Sequence, residues 1–167
     1  YTMESAGCEG LINLLPIYLD HILRPTLTDA GFETEVHHVT AEGEDKGVVY
    51  CEMQGRETNA ESVAERACLG ALYEGSGYCS ETGGICENLR ALKNAQVRRY
   101  HADFYRAANL CLVVTGAVDA DVLLKTVDEA LAVSWPDASK GQGLPRPWAS
   151  PVPPPAIPEK ALEVDFP

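Results

Sequence analysis

The stretch GVVYCEMQG, residues 47 to 55, places one carboxylate, Glu52, inside an otherwise apolar run. Burying an unpaired carboxylate is unfavourable by several kcal/mol unless the acid is paired or binds a cation. Two interpretations are therefore open. Glu52 is a solvated surface side chain, as most glutamates are, or it holds a partner such as a metal ion.

The other side chains that could bind a metal or act as nucleophiles show no catalytic spacing. The imidazoles are His21, His37, His38 and His101, and neither H-x-x-x-H nor H-E-x-x-H occurs. The six cysteines form no C-x-x-C pair, and no G-x-S-x-G is present. From spacing alone, the chain contains no complete active site.

Composition limits the possible partners. Thirteen Lys and Arg against twenty-five Asp and Glu leave a net charge of -12, which repels phosphate backbones and anionic lipids. No apolar run approaches the roughly 20 residues that cross a bilayer. Cys51, Cys68 and Cys111 lie in apolar segments, which is typical of buried, reduced thiols in an intracellular protein. We therefore expect no nucleic acid and no membrane among the partners, and a cytoplasmic rather than a mitochondrial protein.

Helices are predicted before the Glu52 stretch. From Cys8 to Leu23 the apolar residues follow a helical period, although Pro16 should kink or restart that helix. Thr28 is a candidate N-cap for a short helix that carries Phe32, Val36 and Val39.

Beyond the Glu52 stretch, the pattern predicts helix, loop, helix, strand and helix. Thr58 and Glu61 fit a capping box at the start of a helix of about fifteen residues. Residues 74 to 84 are rich in glycine and predict a surface loop rather than a phosphate-binding loop. A helical stripe runs from residue 94 to 105, and a β-branched strand from residue 109 to 116 precedes the last helix.

For the Glu52 stretch itself, periodicity alone favours a strand. Alternate positions would lie on opposite sides with a period of two, and the valines are β-branched. In a helix, Val48 and Val49 would precede Glu52 by four and three residues and share its face. Both arrangements place Glu52 among apolar neighbours.

The composition changes near residue 134. Nine of the eleven prolines lie between Pro136 and Pro167, and such a segment is extended and cannot form the interior of a helix or sheet. Residues 134 to 167 are therefore predicted to be a proline-rich linker to a following lobe, whose first strand would begin with the terminal ALEVDFP. Residues 1 to 133 form the preceding, partial lobe.

Four separated blocks occur in a recognisable order: LPIYLDHILRPTLTDAGFETEVHHV, GVVYCEMQG, ETGGICENLRAL and YHADFYRAANLCLVVTGAVD. In this order they resemble the insulinase (pitrilysin) family of zinc metallopeptidases, in its eukaryotic branch related to presequence proteases. The resemblance implies an α+β lobe in which helices cover one face of an antiparallel sheet, incomplete here at both ends. It also implies zinc-dependent hydrolysis of peptides by the parent protein, with the remaining lobes of the same polypeptide closing around the peptide substrate.

The resemblance also assigns site residues. Family members bind zinc through H-x-x-E-H, whose Glu is the general base, and through a glutamate further along the chain. The block GVVYCEM matches the helix that carries this third ligand, so the resemblance makes Glu52 that ligand and overrides the strand. Asp45, two helical turns earlier, is a candidate to support the site without contacting the metal, and Glu44 is an equally close alternative. Tyr105 and Asn109 match positions that are structural in the family.

The chain has no H-x-x-E-H and opens on Tyr1 rather than Met. We therefore expect a fragment that begins after the zinc helix, or a sequence that has lost that helix, with an incomplete Zn2+ ligand set and no peptidase activity of its own. A second hypothesis is an inert lobe of the same family that serves as a chamber wall or assembly module. A third is an acidic interaction domain without a site, which predicts an exposed Glu52.

Overall fold

A computed structural model of the chain describes residues 1 to 136 and the single positions 151, 154, 155 and 163. The described chain forms two compact units. Unit 1 comprises residues 1 to 26 and 95 to 136, and unit 2 comprises residues 27 to 94. The linker predicted for residues 134 to 167 and its terminal strand lie almost entirely outside the described residues.

The described residues are mostly helical, with one small antiparallel sheet. In chain order, the elements are α1 (Gly7–Leu23), α2 (Asp29–Glu35), β1 (His38–Val39), β2 (Asp45–Lys46), α3 (Val48–Glu57), α4 (Ala60–Leu72), α5 (Cys86–Ala91), α6 (Asn94–Phe104) and α7 (Ala120–Ser134). Short 3-10 turns lie at Gly77–Cys79 and Ala107–Asn109. In the sheet, His38 is opposite Lys46 and Val39 is opposite Asp45. Among the described residues, the one sheet is this two-stranded antiparallel hairpin, which is smaller than the sheet that the predicted α+β lobe implies.

Unit 1 is built on the packing of α1 against α7. Leu15, Leu19 and Ala130 are buried between these helices, because a spacing of four residues places the leucines on one stripe of α1. Leu123 and Val127 of α7 pack against this cluster, as their predicted period requires. α1 continues across Pro16 as a single helix, so the helix does not restart there.

Unit 2 is built around α3. Tyr50 and Met53 of α3 are buried with Cys86 and Leu89 of α5. The helix implied by the family resemblance is therefore confirmed for residues 48 to 57, and the strand favoured by periodicity is wrong.

The helix that follows starts differently from the prediction. Asn59 caps α4, since its Oδ1 accepts a hydrogen bond from the N–H of Ser62 at 3.0 Å. Thr58 instead ends α3, and its hydroxyl donates to the carbonyl of Gly55 at 3.2 Å. The predicted capping box of Thr58 and Glu61 is wrong by one residue, because two helices meet here without a longer loop.

The predicted strand over residues 109 to 116 is not formed. Residues 110 to 115 are neither helical, turning nor bent, and Leu110 is extended, but no described residue pairs with them. A strand requires a hydrogen-bonded neighbour, which a β-branched sequence alone does not provide.

The cysteine thiols test one further expectation. All six cysteines are free, and Cys86 is buried, but Cys51, Cys68 and Cys111 are exposed. The prediction that these last three thiols are buried is therefore wrong. Among the described residues, no helix is both long enough and apolar enough to cross a membrane.

Candidate functional site

Glu52 lies in the second turn of α3, with 62% of its side chain exposed. Its Oε1 lies 3.6 Å from Nη2 of Arg56, one turn further along the helix. Val48, one turn before Glu52, is 61% exposed, whereas Tyr50 and Met53 on the other flank are buried. The apolar run therefore contributes to the core on one side only, and the expectation that Glu52 is buried among apolar side chains is wrong for this chain.

A polar cluster of His37, Asp45, Tyr50 and Arg90 lies at the start of α3. Because a carboxylate can only accept, Nε2 of His37 donates to Oδ1 of Asp45 at 2.7 Å and Nε of Arg90 donates to Oδ2 at 2.9 Å. The Tyr50 hydroxyl donates to the same Oδ2 at 3.3 Å and accepts a hydrogen bond from Arg90. The Arg90 guanidinium also lies 5.1 Å from the centre of the Tyr50 ring. The polar cluster thus joins β2, α3 and α5 through one carboxylate.

The charges in the polar cluster are stable at neutral pH. The hydrogen bond from His37, followed by that from Arg90, lowers the pKa of Asp45 from 3.8 to about 2. The bond to Asp45 in turn raises the pKa of Arg90. Burial raises the pKa of Tyr50, which is 1% exposed. Asp45 is therefore ionised, Arg90 is charged, and Tyr50 keeps its proton.

Asp45 and Glu52 do not share a helical face. Asp45 lies in β2, and Gly47 separates that strand from α3, so the predicted spacing of two helical turns is wrong. Glu44 pairs with Lys46 at 3.1 Å in a largely exposed ion pair that raises the pKa of Lys46. Of the two acids considered, Asp45 is therefore the one that contacts α3.

Gly47 makes the change from strand to helix possible. Its φ is 133°, in the region that favours glycine. A Cβ at this position would lie 2.4 Å from the carbonyl oxygen of Val36 and 2.9 Å from the Cα of His37. The same Val36 carbonyl accepts a hydrogen bond from the N–H of Tyr50 at 3.2 Å, which satisfies a donor in the first turn of α3. The backbone of Val36 therefore caps α3, and only glycine leaves room for it.

The other end of α3 is fixed by a second set of contacts. Oε1 of Glu57 accepts a hydrogen bond from the N–H of Cys86 at 3.0 Å, at the N-terminus of α5, where a negative charge is favourable. Burial, followed by the interaction with Glu57, raises the pKa of the Cys86 thiol. Nη1 of Arg56 lies 3.6 Å from Oε1 of Glu81. Both ends of α3 are held, so the fold of unit 2 sets the position from which Glu52 projects.

Three of the four histidines have structural partners. His37 belongs to the polar cluster. Nδ1 of His38 lies 2.7 Å from the carbonyl oxygen of Glu33, and Nε2 of His101 lies 2.8 Å from that of Ile22. These rings are therefore positioned by hydrogen bonds to their own unit.

The part of the chain that the structure describes does not fit a complete zinc site. It contains no group of three or more His, Cys, Asp or Glu side chains that could hold a metal ion. Glu52 offers one accessible carboxylate, an acceptable zinc ligand, and its charged neighbour is Arg56. Zinc held at Glu52 would need its other ligands from outside these residues.

The two residues that the resemblance makes structural lie in unit 1. The Tyr105 hydroxyl is 2.7 Å from that of Tyr1, and the Tyr105 ring stacks on His101 at 4.4 Å between centroids. Burial, followed by the bond with Tyr1, raises the pKa of Tyr105 to about 12. Nδ2 of Asn109 donates to the carbonyl of Phe104 at 2.8 Å, whereas its buried Oδ1 has no partner among the described residues.

The sequence pattern did not identify the partners of Asp45. His37 lies next to His38 between α2 and β1, and Arg90 is 45 residues from Asp45, so no motif spacing links them to Asp45. Gly47 is the one available signal, since a glycine between an acid and an apolar run is typical of a sharp change in backbone direction.

Comparison with known proteins tests the family resemblance that the four sequence blocks carry. The family described as "Peptidase M16 inactive domain" matches residues 91 to 165. An uncharacterised protein of Saccharomyces cerevisiae is 47% identical over 131 residues, and one of Caenorhabditis elegans is 42% identical over 130 residues. The mitochondrial presequence protease of Xenopus tropicalis is 27% identical over 137 residues. Each of these matches covers 77% of this chain.

The matches locate the chain within longer relatives. The chain spans only 13% of the length of each of these three proteins. No solved structure matches it. The domain pattern and the similarity to presequence proteases agree with the resemblance carried by the four sequence blocks. The chain is therefore related to the insulinase (M16) family of peptidases.

Proposed function

We propose that the chain is a segment of a zinc-dependent endopeptidase that hydrolyses peptides, and that Glu52 is the third zinc ligand of that enzyme. The observation that carries this proposal is the position of Glu52. Its carboxylate projects from the exposed flank of a helix whose two ends are both held, by the polar cluster and by the contact of Glu57 with Cys86. An accessible carboxylate on a helix whose position is fixed suits a site completed by another segment.

The proposal divides the chemistry between this chain and the rest of the polypeptide. When bound, zinc supplies a Lewis acid that polarises the scissile carbonyl and lowers the pKa of a water molecule. This chain supplies the Glu52 carboxylate, with Arg56 as its charged partner when the site is incomplete. The two histidine ligands and the general base lie outside these residues, so the chain alone is expected to be inactive and to bind zinc weakly.

The test uses the full-length protein that contains this chain. Glu52→Gln keeps the size of the side chain but removes its charge, and we expect it to abolish both stoichiometric zinc and peptidase activity. Glu65→Gln is the matched control, because Glu65 is an exposed glutamate on the neighbouring helix α4 and should keep both. Zinc is measured by elemental analysis of the purified protein, and activity by cleavage of an unstructured peptide. Stoichiometric zinc in the Glu52→Gln protein would refute the ligand assignment.

A second candidate function is supported by a separate observation. The family pattern that matches residues 91 to 165 is that of an inactive M16 domain, and the ion pair with Arg56 gives Glu52 a partner without any metal. In this alternative the chain belongs to a catalytically inert lobe that forms a chamber wall or assembly module. Full-length wild-type protein that binds no zinc and cleaves no peptide, yet assembles with an active M16 lobe, would favour this alternative.

A further inference from the structure

Arg56 lies between two carboxylates that belong to different parts of unit 2. Its Nη2 is 3.6 Å from Oε1 of Glu52 on α3, and its Nη1 is 3.6 Å from Oε1 of Glu81 in the glycine-rich loop, residues 74 to 84. The Glu52 side chain is 62% exposed, whereas the Glu81 side chain is only 17% exposed. One guanidinium group is therefore shared by an accessible acid and by an acid that the protein largely encloses.

Glu81 depends on Arg56 for its counter-charge. Among the described residues, no other lysine or arginine forms an ion pair with it. The crevice beside Glu81 has a volume of about 10 Å³, which is no more than the space of one water molecule. Because an enclosed charge is unfavourable unless it is paired, and is screened less by salt than an exposed one, Glu81 holds Arg56 more strongly than Glu52 does.

The end of the glycine-rich loop, residues 81 to 84, packs on α3. A Cβ at Gly83 would meet the side chain of Met53, so the loop backbone lies directly against that helix. The N–H of Gly84 donates to the carbonyl of Glu81 at 3.2 Å, which closes a turn. Glu81 is therefore held by a turn that is itself packed on the helix carrying Glu52.

The contact of Arg56 with Glu52 supplies charge but no directional bond. A separation of 3.6 Å is longer than a hydrogen bond between side chains, so the guanidinium group does not fix the orientation of the carboxylate. The two side chains are one helical turn apart and both substantially exposed, so their attraction is weak. A divalent cation bound to Glu52 would neutralise this attraction and repel Arg56.

We propose that Arg56 is an internal counter-ion shared by Glu52 and Glu81, and that it passes wholly to Glu81 when a divalent cation occupies Glu52. Occupation of Glu52 then strengthens the attachment of the glycine-rich loop to α3. Because such coupling is reciprocal, Glu81 favours cation binding at Glu52, and Arg56 opposes it. The cation is the zinc of the proposed function, on which this inference rests.

The zinc affinity of the full-length protein tests this inference without any measurement of activity. Arg56→Gln removes the competing charge and should lower the zinc dissociation constant about threefold, whereas Glu81→Gln leaves Arg56 with Glu52 alone and should raise it about threefold. Competition with a chelator of known zinc affinity gives the constants. Arg66→Gln is the matched control, because Arg66 lines the same crevice but forms no ion pair with either carboxylate, and it should leave the constant unchanged.

A double variant separates the shared charge from a purely structural role of Glu81. If Arg56 transmits the effect, Glu81→Gln should change the dissociation constant in the wild-type background but not in the Arg56→Gln background. Circular dichroism checks that the variants keep their helices. An equal change in both backgrounds overturns the proposal, and so does an Arg56→Gln protein that binds zinc no more tightly than the wild-type protein.

Hydrogen exchange tests the coupling without zinc. In the 167-residue chain, Glu52→Gln removes the carboxylate that competes for Arg56, so the turn at Glu81 should open less often. The amide of Gly84, which donates within that turn, should then exchange about twofold more slowly than in the wild-type chain. Arg56→Gln should make the exchange faster, and addition of Glu52→Gln to that variant should have no further effect. Equal exchange rates in the wild-type chain and in Glu52→Gln overturn the proposal.

The failure of this inference is distinguishable from the failure of the proposed function. Stoichiometric zinc in full-length Glu52→Gln overturns the ligand assignment, and the role of Arg56 in zinc binding with it. Zinc lost from Glu52→Gln, together with an unchanged zinc affinity of Arg56→Gln, overturns the counter-ion role alone.

Discussion

Unit 2 and unit 1 differ in how completely the polar groups of one segment in each unit are hydrogen-bonded. In unit 2, one carboxylate, Asp45, accepts hydrogen bonds from His37, Arg90 and Tyr50, which lie on different elements of the same unit. In unit 1, residues 111 to 115 and the side-chain oxygen of Asn109 have no partner among the described residues. Asp45 and its partners thus hold α3 in place within unit 2, whereas residues 111 to 115 of unit 1 make no backbone hydrogen bond to any described residue.

The same contrast separates Glu52 of unit 2 from residues 111 to 115 of unit 1. Glu52 is exposed on a helix that is fixed at both ends. Residues 111 to 115 form no strand with any described residue, and Val113 among them is 77% exposed. Substitutions should therefore destabilise unit 2 at its fixed junctions, and unit 1 at its helix pair.

The largest effect is expected for Gly47→Ala. An added Cβ would meet the Val36 carbonyl oxygen at 2.4 Å with φ at 133°, and both features belong to the junction that starts α3. We expect the free energy of unfolding of unit 2 to fall by more than about 3 kcal/mol, measured by urea denaturation. The control is Gly55→Ala, inside the same helix, where nothing lies within 4 Å of an added Cβ and stability should rise by up to about 1 kcal/mol. Similar effects of the two substitutions would show that the junction is not a fixed point of unit 2.

Leu19→Ala should have the next largest effect, in unit 1. Leu19 is 1% exposed in the α1–α7 core, so its truncation should reduce stability by about 3 kcal/mol. Hydrogen exchange in α1 and α7 measures the loss. Ile17→Ala, on the same helix but at a residue that is 54% exposed, should change stability by less than about 1 kcal/mol. If both substitutions had the same small effect, unit 1 would lack a core of its own.

Asp45→Asn tests the polar cluster through its dependence on pH. The pKa of Asp45 is lowered in the folded protein from 3.8 to about 2. The stabilisation is therefore fully present above the unfolded pKa, and it is lost as the pH falls toward 2. The wild-type protein should have a higher free energy of unfolding than Asp45→Asn at pH 6, and the difference between the two free energies should be smaller at pH 3. A gap independent of pH would mean that the charge of Asp45 does not hold the cluster together. Glu44→Gln, in an exposed pair with Lys46, is the control and should have little effect at either pH.

Glu57→Ala should have a smaller effect, at the far end of α3. The substitution leaves the N–H of Cys86 without its acceptor, and we expect a loss of about 1 kcal/mol. Glu74→Ala, at an exposed turn residue, should be nearly neutral. Urea denaturation of Glu57→Ala and Glu74→Ala measures the difference in their stability. Equal denaturation midpoints would show that Glu57 does not hold this end of α3.

Much of the helical structure was predictable because its signals are local. Leu123 and Val127 show a period of four along α7, and Thr28 accepts a hydrogen bond from the N–H of Gly31 as an N-cap should. The helix at Glu52 was predictable only through the family blocks, because its β-branched valines favour a strand by local pattern. The burial of Glu52 was predicted wrongly, since an apolar run does not reveal that only one of its flanks packs on a core.

Contacts between distant residues were beyond the local pattern. Arg90 meets Asp45 across 45 residues of sequence, and no periodicity encodes such a pair. The strand predicted for residues 109 to 116 has the right residues for pairing, but strand formation depends on a neighbour that the described residues do not provide. The sequence thus indicates which segments can pair, while the partner that makes them pair is set by the tertiary structure.

The smallest effect on stability is expected for Glu52→Gln in the 167-residue chain. The ion pair with Arg56 spans 3.6 Å between side chains that are 48% and 62% exposed, so its loss should change the free energy of unfolding by less than about 0.5 kcal/mol. Thermal unfolding of Glu52→Gln and of the control Glu65→Gln measures the difference in stability between the two variants. A nearly neutral result means that loss of zinc from the full-length Glu52→Gln protein reports on ligation rather than on folding. A large loss of stability would instead make Glu52 a structural residue of unit 2. The folded state of this unit would then depend on the charge of the Glu52 carboxylate, which the proposal assigns to metal binding.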